Sequence, residues 1–457
     1  MSLNVYNSQT KQVEEFNPLN KDEVLMYTCG PTVYNYAHIG NFRTMLASDI
    51  ILRTLMFNGY NVKSVINYTD LGHLTDDADT GEDKLERAAE KEGRSAKEVA
   101  DFYIKAFNKD FDGLNMKKPT MFVRATDYIQ EQIELVHVLD SKGFVYRTTD
   151  GVYFDTGKYP KYHSAFGKNA EDVCDAHDPN SEKKAPADFA LWKFSPEDRT
   201  RWQEYDSPWG KGFPGWHVEC SAMILAELGK TIDIHVGGED HLGTHHPNEI
   251  AQSECANDAM LSKYWLHVTH LQVDGGKMSK SLGTGHTVDD VVSRGFSPMD
   301  LRFFYMTAHY RSPLNFTWES LQSAHNSLRK FYDLVSGYKE SEYSVVDENL
   351  SKKFKSAVNS DFSMPKAIAV VWELLKSEIE EPSKIKTLLQ MDEVLGLKLS
   401  DYVGYEIPEK VQNLAKIRWE YKQSGIWDKA DQVRKEINGI GYIVEDSSDG
   451  YKVRRKS

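Results

Sequence analysis

One segment near the start of the chain limits its fold more than any other. Residues 23–28, Glu-Val-Leu-Met-Tyr-Thr, form an apolar run that ends at Cys29-Gly30-Pro31 and reads as a buried strand. After a short loop, Phe42, Leu46, Ile50, Leu55 and Met56 recur at helical spacing; Gly59 then stops the helix, and residues 62–66 resume as a strand. Strand, helix and strand over this length predict a parallel crossover unit, which needs a sheet covered on both faces and therefore an α/β core. Residues 232–236, running into Gly237-Gly238, read as a further buried strand of that core.

With 457 residues the chain exceeds one compact core and predicts about three domains at roughly 150 residues each. Residues 76–97 are charged and helical in pattern, which predicts a solvent-facing segment. Residues 117–192 carry aromatic-rich strands, at 145–148 and 151–154, between polar loops and read as an insertion into the core. Past Thr317 the pattern is helical through Leu395, and a small α/β segment starts near Ile407. An aromatic content of 12% argues against disorder. No apolar stretch approaches the ~18 residues of a membrane span. The opening residues 1–6 lack a basic flank and an apolar run, so no signal peptide is expected and the cytoplasm is the expected location. The formal charge of −14 disfavours a protein that coats nucleic acid indiscriminately, though a local patch on an acidic body is compatible with it. Residues 452–457 are the most localised basic run and read as a solvated terminus. Four cysteines in so long a chain make no disulfide framework, and none form a Cys-x-x-Cys pair.

Three segments carry chemistry. His38-Ile39-Gly40-Asn41 opens the first helix, where unpaired N–H groups and partial positive charge suit a phosphate; an inert, hydrogen-bonded loop histidine is the alternative. Lys277-Met278-Ser279-Lys280-Ser281 places two lysines three apart among glycines and serines, suited to clamping a polyphosphate, without Walker A spacing. Pro214-Gly215-Trp216-His217-Val218-Glu219-Cys220 is followed by His245-His246-Pro247-Asn248-Glu249. His245 and Glu249 share a face if that segment is helical, and with Cys29 and Cys220 they offer sulfur, nitrogen and oxygen donors for zinc. Spacing alone equally allows a capping histidine and two small core cysteines.

Taken together these segments resemble a known family. His38-Ile39-Gly40-Asn41 is similar to the HIGH signature, and residues 277–281 match the KMSKS signature, of class I aminoacyl-tRNA synthetases. Cys29-Gly30-Pro31-Thr32-Val33-Tyr34, the Gly215–Met223 run and His245-His246-x-Asn248-Glu249-Ile250 resemble cysteinyl-tRNA synthetases, and the likeness extends nearly end to end. The resemblance implies zinc bound by Cys29, Cys220, His245 and Glu249; Thr69 and Trp216 beside the amino acid with Cys29 and Cys220; and ATP held by His38, Gly40, Asn41, Gly237, Gly238, Asp240, Lys277, Met278 and Lys280. Among these, His38, Asn41, Lys277 and Lys280 are the implied catalytic groups, and Mg²⁺ is implied with ATP. It also implies a Rossmann-like core (1–116 and 196–265) interrupted by a connective, acceptor-end domain (117–195). A stem-contact region (266–317), a helical bundle (318–400) and an anticodon-binding domain (401–457) follow, the last with Trp427 and Asp431 at the anticodon of tRNA(Cys). L-cysteine, ATP and tRNA are the implied partners of a monomer. Cys174 and Cys255 match no ligand position and read as structural.

The sequence departs from the family pattern in three places. Asn41 replaces the final histidine of the first signature, which keeps a donor but removes a titratable group. Residues 71–84 are longer than usual and carry His73, for which a surface role is expected. Lys422 stands where an arginine is common, and lysine lacks the planar bidentate contact. A ligase that passes cysteine to an amino sugar would not need the Trp427 segment. A zinc deaminase is disfavoured because His217-Val218-Glu219 lacks its Pro-Cys-x-x-Cys partner. The intact phosphate-binding signatures disfavour a non-catalytic tRNA-binding protein.

Overall fold

The computed structural model describes residues 2–72, 83–166, 182–196, 201–277, 285–338, 345–447 and 450–455. Its centre is a parallel sheet of β1 (Val24–Thr28), β2 (Val62–Tyr68), β3 (Met121–Arg124), β4 (Ile232–Gly238) and β5 (Ser262–Val268), in the order β5-β4-β1-β2-β3. This is the doubly wound arrangement expected of a Rossmann-like core, with the strand order reversing between β1 and β4. β4 is buried along nearly its whole length, as a strand covered on both faces must be.

The crossover helix α1 (Ile39–Phe57) is buried at almost every position from Ile39 to Leu55, because it lies between the sheet and the helices that follow. That explains why its apolar residues form no clean stripe. Beyond β2 come α2 (Lys84–Glu92) and α3 (Ala96–Gly113), the second opened by a capping box between Ser95 and Glu98. The second half of the core contributes α4 (Trp216–Leu228) and α5 (His245–Asn257). After α6 (Pro298–Met306), the bundle consists of α7 (Trp318–Ser336), α8 (Glu348–Val358), α9 (Met364–Lys376) and α10 (Glu381–Leu395). The closing module pairs α11 (Glu409–Gln423) and α12 (Trp427–Gly439) with a hairpin of Tyr442–Ser447 and Gly450–Arg455. No helix among the described residues is long and apolar enough to cross a membrane.

Two strands sit differently from the sequence expectation. Met121–Arg124, inside the span assigned to the insertion, pairs with β2 as the outer strand of the core sheet. Gly212–Pro214, assigned to the core, is the edge strand of a four-stranded antiparallel sheet with Val145–Arg147, Gly151–Phe154 and Phe189–Phe194. Both are short, and three or four residues carry too little periodicity to assign a sheet. The basic terminus is also not a free tail over its described part. Residues 450–455 are strand, and Lys452 Nζ and Arg454 Nη2 reach Asp333 of α7 at 2.8 and 2.9 Å.

A buried charge cluster joins α1 to the bundle. Asp49 accepts from Arg53 Nε at 3.0 Å, from Arg302 Nη2 at 2.7 Å and from the Lys117 N–H at 2.7 Å. Both guanidiniums spend their remaining donors on carbonyls, Arg53 on Asn115 and Glu393, Arg302 on Leu114 and Leu395. Asp49 thus bonds directly to two buried cations shared among α1, α6 and α10, and Asp392 of α10 adds a second negative charge beside them. Asp49→Ala should lower unfolding free energy by about 3–5 kcal/mol, since it strands buried charge. Denaturant titration checks this, and a loss under about 1 kcal/mol would show that the carbonyls suffice.

Candidate active site

The reversal between β1 and β4 opens a crevice at the carboxyl ends of the strands, the usual ligand position in such sheets. Cys29 follows β1 directly, its N–H donating to the Val236 carbonyl at 3.0 Å. Gly30 donates to Asn67 Oδ1 at 2.8 Å, and a Cβ there would lie 1.6 Å from the Asn67 carbonyl oxygen, so no larger residue fits that turn. Beyond it a cleft of about 360 Å³ is lined by Cys29, Gly30, His38, Gly40, Asn41 and, from the far side, Gly238 and Asp240.

His38 and Asn41 lock the start of α1 into a capping box. His38 Nδ1 accepts from the Asn41 N–H at 3.1 Å, and Asn41 Oδ1 accepts from the His38 N–H at 3.0 Å. With Nδ1 accepting, a neutral His38 ring carries its proton on Nε2. Asn41 uses its carbonyl in the cap and keeps an amide NH₂ as donor, so the substitution for histidine preserves the cap. Lys277 ends a short strand paired with Gln272. Met278 and Lys280, like His73 and Cys174, lie outside the described residues.

Behind the cleft, Cys29, Cys220, His245 and Glu249 are all buried, and one donor atom from each lies within 4.8 Å of the others. Cys220 comes from the second turn of α4 and His245 opens α5, and His245 Nε2 meets Glu249 Oε1 at 2.9 Å, the helical spacing read from sequence. A second set, Cys29, His235, His246 and Glu249, meets the same criterion and shares two residues with the first. A hydrogen bond from Cys29 lowers the Cys220 thiol to about 7 against the effect of burial, while burial raises Cys29 itself. Burial also disfavours charge on His245, but Glu249 and Cys220 outweigh it and raise the imidazole to about 10. Burial raises Glu249, yet His235 and His245 hold it well below the usual carboxylate range. Such a donor set demands a positive charge, and a proton on His245 or a divalent cation in its place would each supply one. The residues fit a soft metal ion.

Around this cluster lies a histidine network that sequence spacing did not bring out. His217 Nδ1 meets His245 Nδ1 at 2.8 Å, His235 Nε2 meets Glu249 Oε2 at 2.9 Å, and His246 Nδ1 meets His267 Nε2 at 2.7 Å. His235 and His267 sit on β4 and β5, strands that also carry Asp233 and Lys263, so a polar residue there was no distinctive early signal. Gly237 is placed against this network: a Cβ would lie 2.6 Å from His246 and 2.7 Å from His241. It therefore makes room for the rings, and Gly238 and Asp240 face the cleft.

Trp216 lies over His245 with ring centroids 4.5 Å apart. Thr69 is buried; its N–H donates to the Pro31 carbonyl and its Oγ1 accepts from Asn67 Nδ2. Cys255 is a core residue whose thiol burial pushes up to about 12. In the closing module Trp427 is 60% exposed at the start of α12, with exposed Asp431 one turn further on. Lys422 pairs with Asp446 at 2.8 Å, a carboxylate that Arg418 also holds through two nitrogens.

The catalytic-domain family "tRNA synthetases class I (C)" matches residues 15–326. A solved structure of similar fold is Mycobacterium tuberculosis methionyl-tRNA synthetase in complex with methionyl-adenylate, with TM-score 0.57 over 82% of this chain and 90% of that one, at 16% identity. Fold and site together are those of a class I aminoacyl-tRNA synthetase. The chain is 43% identical to cysteine–tRNA ligase 1 of Burkholderia lata over 99% of this chain and 97% of that one. It is 39% identical to the cysteine–tRNA ligase of Treponema denticola and 36% identical to that of Thermococcus onnurineus, over 98% of both chains in each case. It belongs to the cysteine–tRNA ligase family.

The tight turn behind Cys29 gives a direct check. Gly30→Ala forces a backbone overlap with Asn67 and should lower the melting temperature by on the order of 5 °C. Calorimetry measures this, and an unchanged transition would mean that the turn relaxes freely.

Proposed function

We propose that this cysteine–tRNA ligase selects its amino acid at the cluster of Cys29, Cys220, His245 and Glu249, which would hold one zinc ion. The convergence of four buried donor atoms within 4.8 Å at the strand-order reversal carries this reading. When bound there, zinc supplies a soft Lewis acid that prefers thiolate to hydroxyl, the property needed to separate cysteine from serine. Shape alone gives only ~1–3 kcal/mol for so small a difference. Two cysteines favour this set over the overlapping one with His235 and His246, whose other hydrogen bonds suit them to orienting the ligands.

The remaining residues bind and orient. Thr69 and Trp216 flank the amino acid between β2 and α4. The start of α1, with His38 Nε2–H, the Gly40 backbone and the Asn41 amide, directs donors at the ATP phosphates, while Gly238 and Asp240 meet the adenosine and Gly237 acts through the histidines behind it. The carboxylate of cysteine attacks the α-phosphate in line, the bond to the β-phosphate oxygen breaks, and pyrophosphate leaves with the cysteinyl-adenylate formed. A ribose hydroxyl at the 3′ end of tRNA(Cys) then attacks the cysteinyl carbonyl and AMP departs. Lys277 and Lys280, with Met278 between them, stabilise charge that develops on the phosphates, and Mg²⁺ accompanies ATP. The protein contributes positioning and charge stabilisation rather than a covalent intermediate of its own.

The inserted sheet would guide the acceptor end, the region after β5 would meet the stem, and Trp427 with Asp431 would stack on and read the anticodon. The 60% exposure of Trp427 supports that assignment over burial in the small module. The chain acts as a monomer in the cytoplasm, where its ATP and tRNA substrates are found.

ATP–pyrophosphate exchange with cysteine against serine, run beside metal quantification, tests the reading. One zinc per chain and exchange with cysteine alone are expected. Cys220→Ser should lose metal and cysteine activation together, and full activation by metal-free mutant protein would overturn the ligand assignment. Lys280→Ala should slow adenylate formation about 100-fold in single turnover with cysteine affinity nearly unchanged. An unaltered rate would remove that lysine from the mechanism.

A further inference from the structure

Arg201 is among the most deeply buried charges in the protein, at 1% side-chain exposure, yet it lies in a stretch without regular structure. Its guanidinium pairs with Asp83, also 1% exposed, and donates to the Gly72 carbonyl at 3.2 Å. Asp83 in turn caps α2 by accepting from the N–H groups of Leu85 and Glu86 at 2.8 and 3.0 Å. Gly72 packs so closely on that carboxylate that a Cβ would lie 1.8 Å from Asp83 Oδ2. The other face of the guanidinium covers the Phe213 ring at 3.7 Å. Two residues on, Gln203 spans both ends of a short stretch of backbone. Its Oε1 accepts from the Gly72 N–H at 2.9 Å and its Nε2 donates to the Asp70 carbonyl at 2.8 Å.

These contacts fall on two walls. Asp70 follows Thr69, and its carboxylate is fixed by Arg124 at 2.7 Å and by the Thr126 N–H at 2.9 Å. Phe213 lies in the Gly212–Pro214 strand, which turns at Gly215 into Trp216. That strand also bridges Tyr205 through the Tyr205 N–H to the Gly212 carbonyl at 2.7 Å. We infer that Arg201 and Gln203 are positioning residues for the amino-acid pocket: residues 201–205 form a strap that sets the distance between the Thr69 wall and the Trp216 wall. The inference rests on the reading above that Thr69 and Trp216 flank the substrate cysteine.

A strap of this kind acts on ground-state binding of the small amino acid and not on ATP, whose cleft is built from β1, α1 and the turn after β4. Its removal shows as a rise in KM for cysteine with kcat and the KM for ATP preserved. ATP–pyrophosphate exchange on the full chain measures all three. Arg201→Met should raise the cysteine KM about 10-fold, with ATP KM and kcat within about twofold, and Asp83→Asn should do the same. The double variant should cost less than the two single effects combined, since both break the Arg201–Asp83 pair while Arg201 also meets the Gly72 carbonyl and Glu86. Gln203→Glu, nearly isosteric and far less disruptive of the core, should raise the cysteine KM alone by setting a carboxylate against the Asp70 carbonyl. It keeps the test open if the Arg201 variant fails to fold. Equal rises in both KM values, or no rise with Gln203→Glu, would overturn the strap. Thr69→Val serves as the reference: if it leaves the cysteine KM unchanged, the placement of Thr69 beside the substrate falls and the strap with it. If Thr69→Val raises that KM and the strap variants do not, only the strap falls.

Discussion

Cys29 donates its N–H to the Val236 carbonyl, and this rung continues a parallel pairing that matches Met26 with Ile234, Tyr27 with His235 and Thr28 with Val236. The register does more than close a sheet. Side chains alternate along a strand, so a slip of one residue between β1 and β4 would turn Cys29 and His235 to the opposite faces. Cys29 would then part from Cys220 and His245, which reach it from the N-terminal ends of two other helices. The donor cluster and the cleft in front of it take their positions from that pairing, while the cap at the start of α1 is local to His38 and Asn41. The pairing in turn depends on Gly30, because the chain must leave β1 within touching distance of the Asn67 backbone.

Local features with a strong period were legible in the sequence. β1, α1 and β2 fall where apolar spacing and Gly59 put them, and the four-residue gap between His245 and Glu249 became a real contact because α5 begins at His245. Cys29 and Cys220 are distant in sequence, so donor chemistry alone made them candidates, with two small core cysteines as the alternative, and the fold brings them to that pair. What stayed hidden has physical reasons. His235 sits in β4 where composition alone predicts a core residue, and its role depends on Glu249 arriving from α5. Met121–Arg124 is too short to reveal which sheet it joins. Arg201 gives no signal at all: an arginine in an irregular polar stretch reads as solvated, and only the fold brings Asp83, Gly72 and Phe213 around it.

The Asp49 cluster and the closing module show how an acidic chain uses its cations. Arg53 and Arg302 are consumed inside the protein, where they bind α1, which His38 caps and whose first turn holds Asn41, to the end of α10. That helix cannot shift without moving two guanidiniums whose donors are already spent on Asp49 and on four backbone carbonyls. Rigidity at the start of α1 is what a phosphate-binding turn needs, since its donors must already point at the charge.

The same economy bears on how the closing module could meet RNA. Arg418 and Lys422 share Asp446, and Lys452 and Arg454 share Asp333 on α7. Each of these cations must give up a carboxylate before it can hold a phosphate, and the exchange of one anion for another returns little free energy near the surface. Trp427 has no such debt under the proposed reading, because its exposed ring would lose only water to a stacking base. On a body carrying a formal charge of −14, this division favours reading by stacking and shape over attraction along the backbone. It also gives Lys422 a structural account: a lysine that neutralises Asp446 beside Arg418 steadies the hairpin against α11, and the planar contact an arginine would offer is not required for that task.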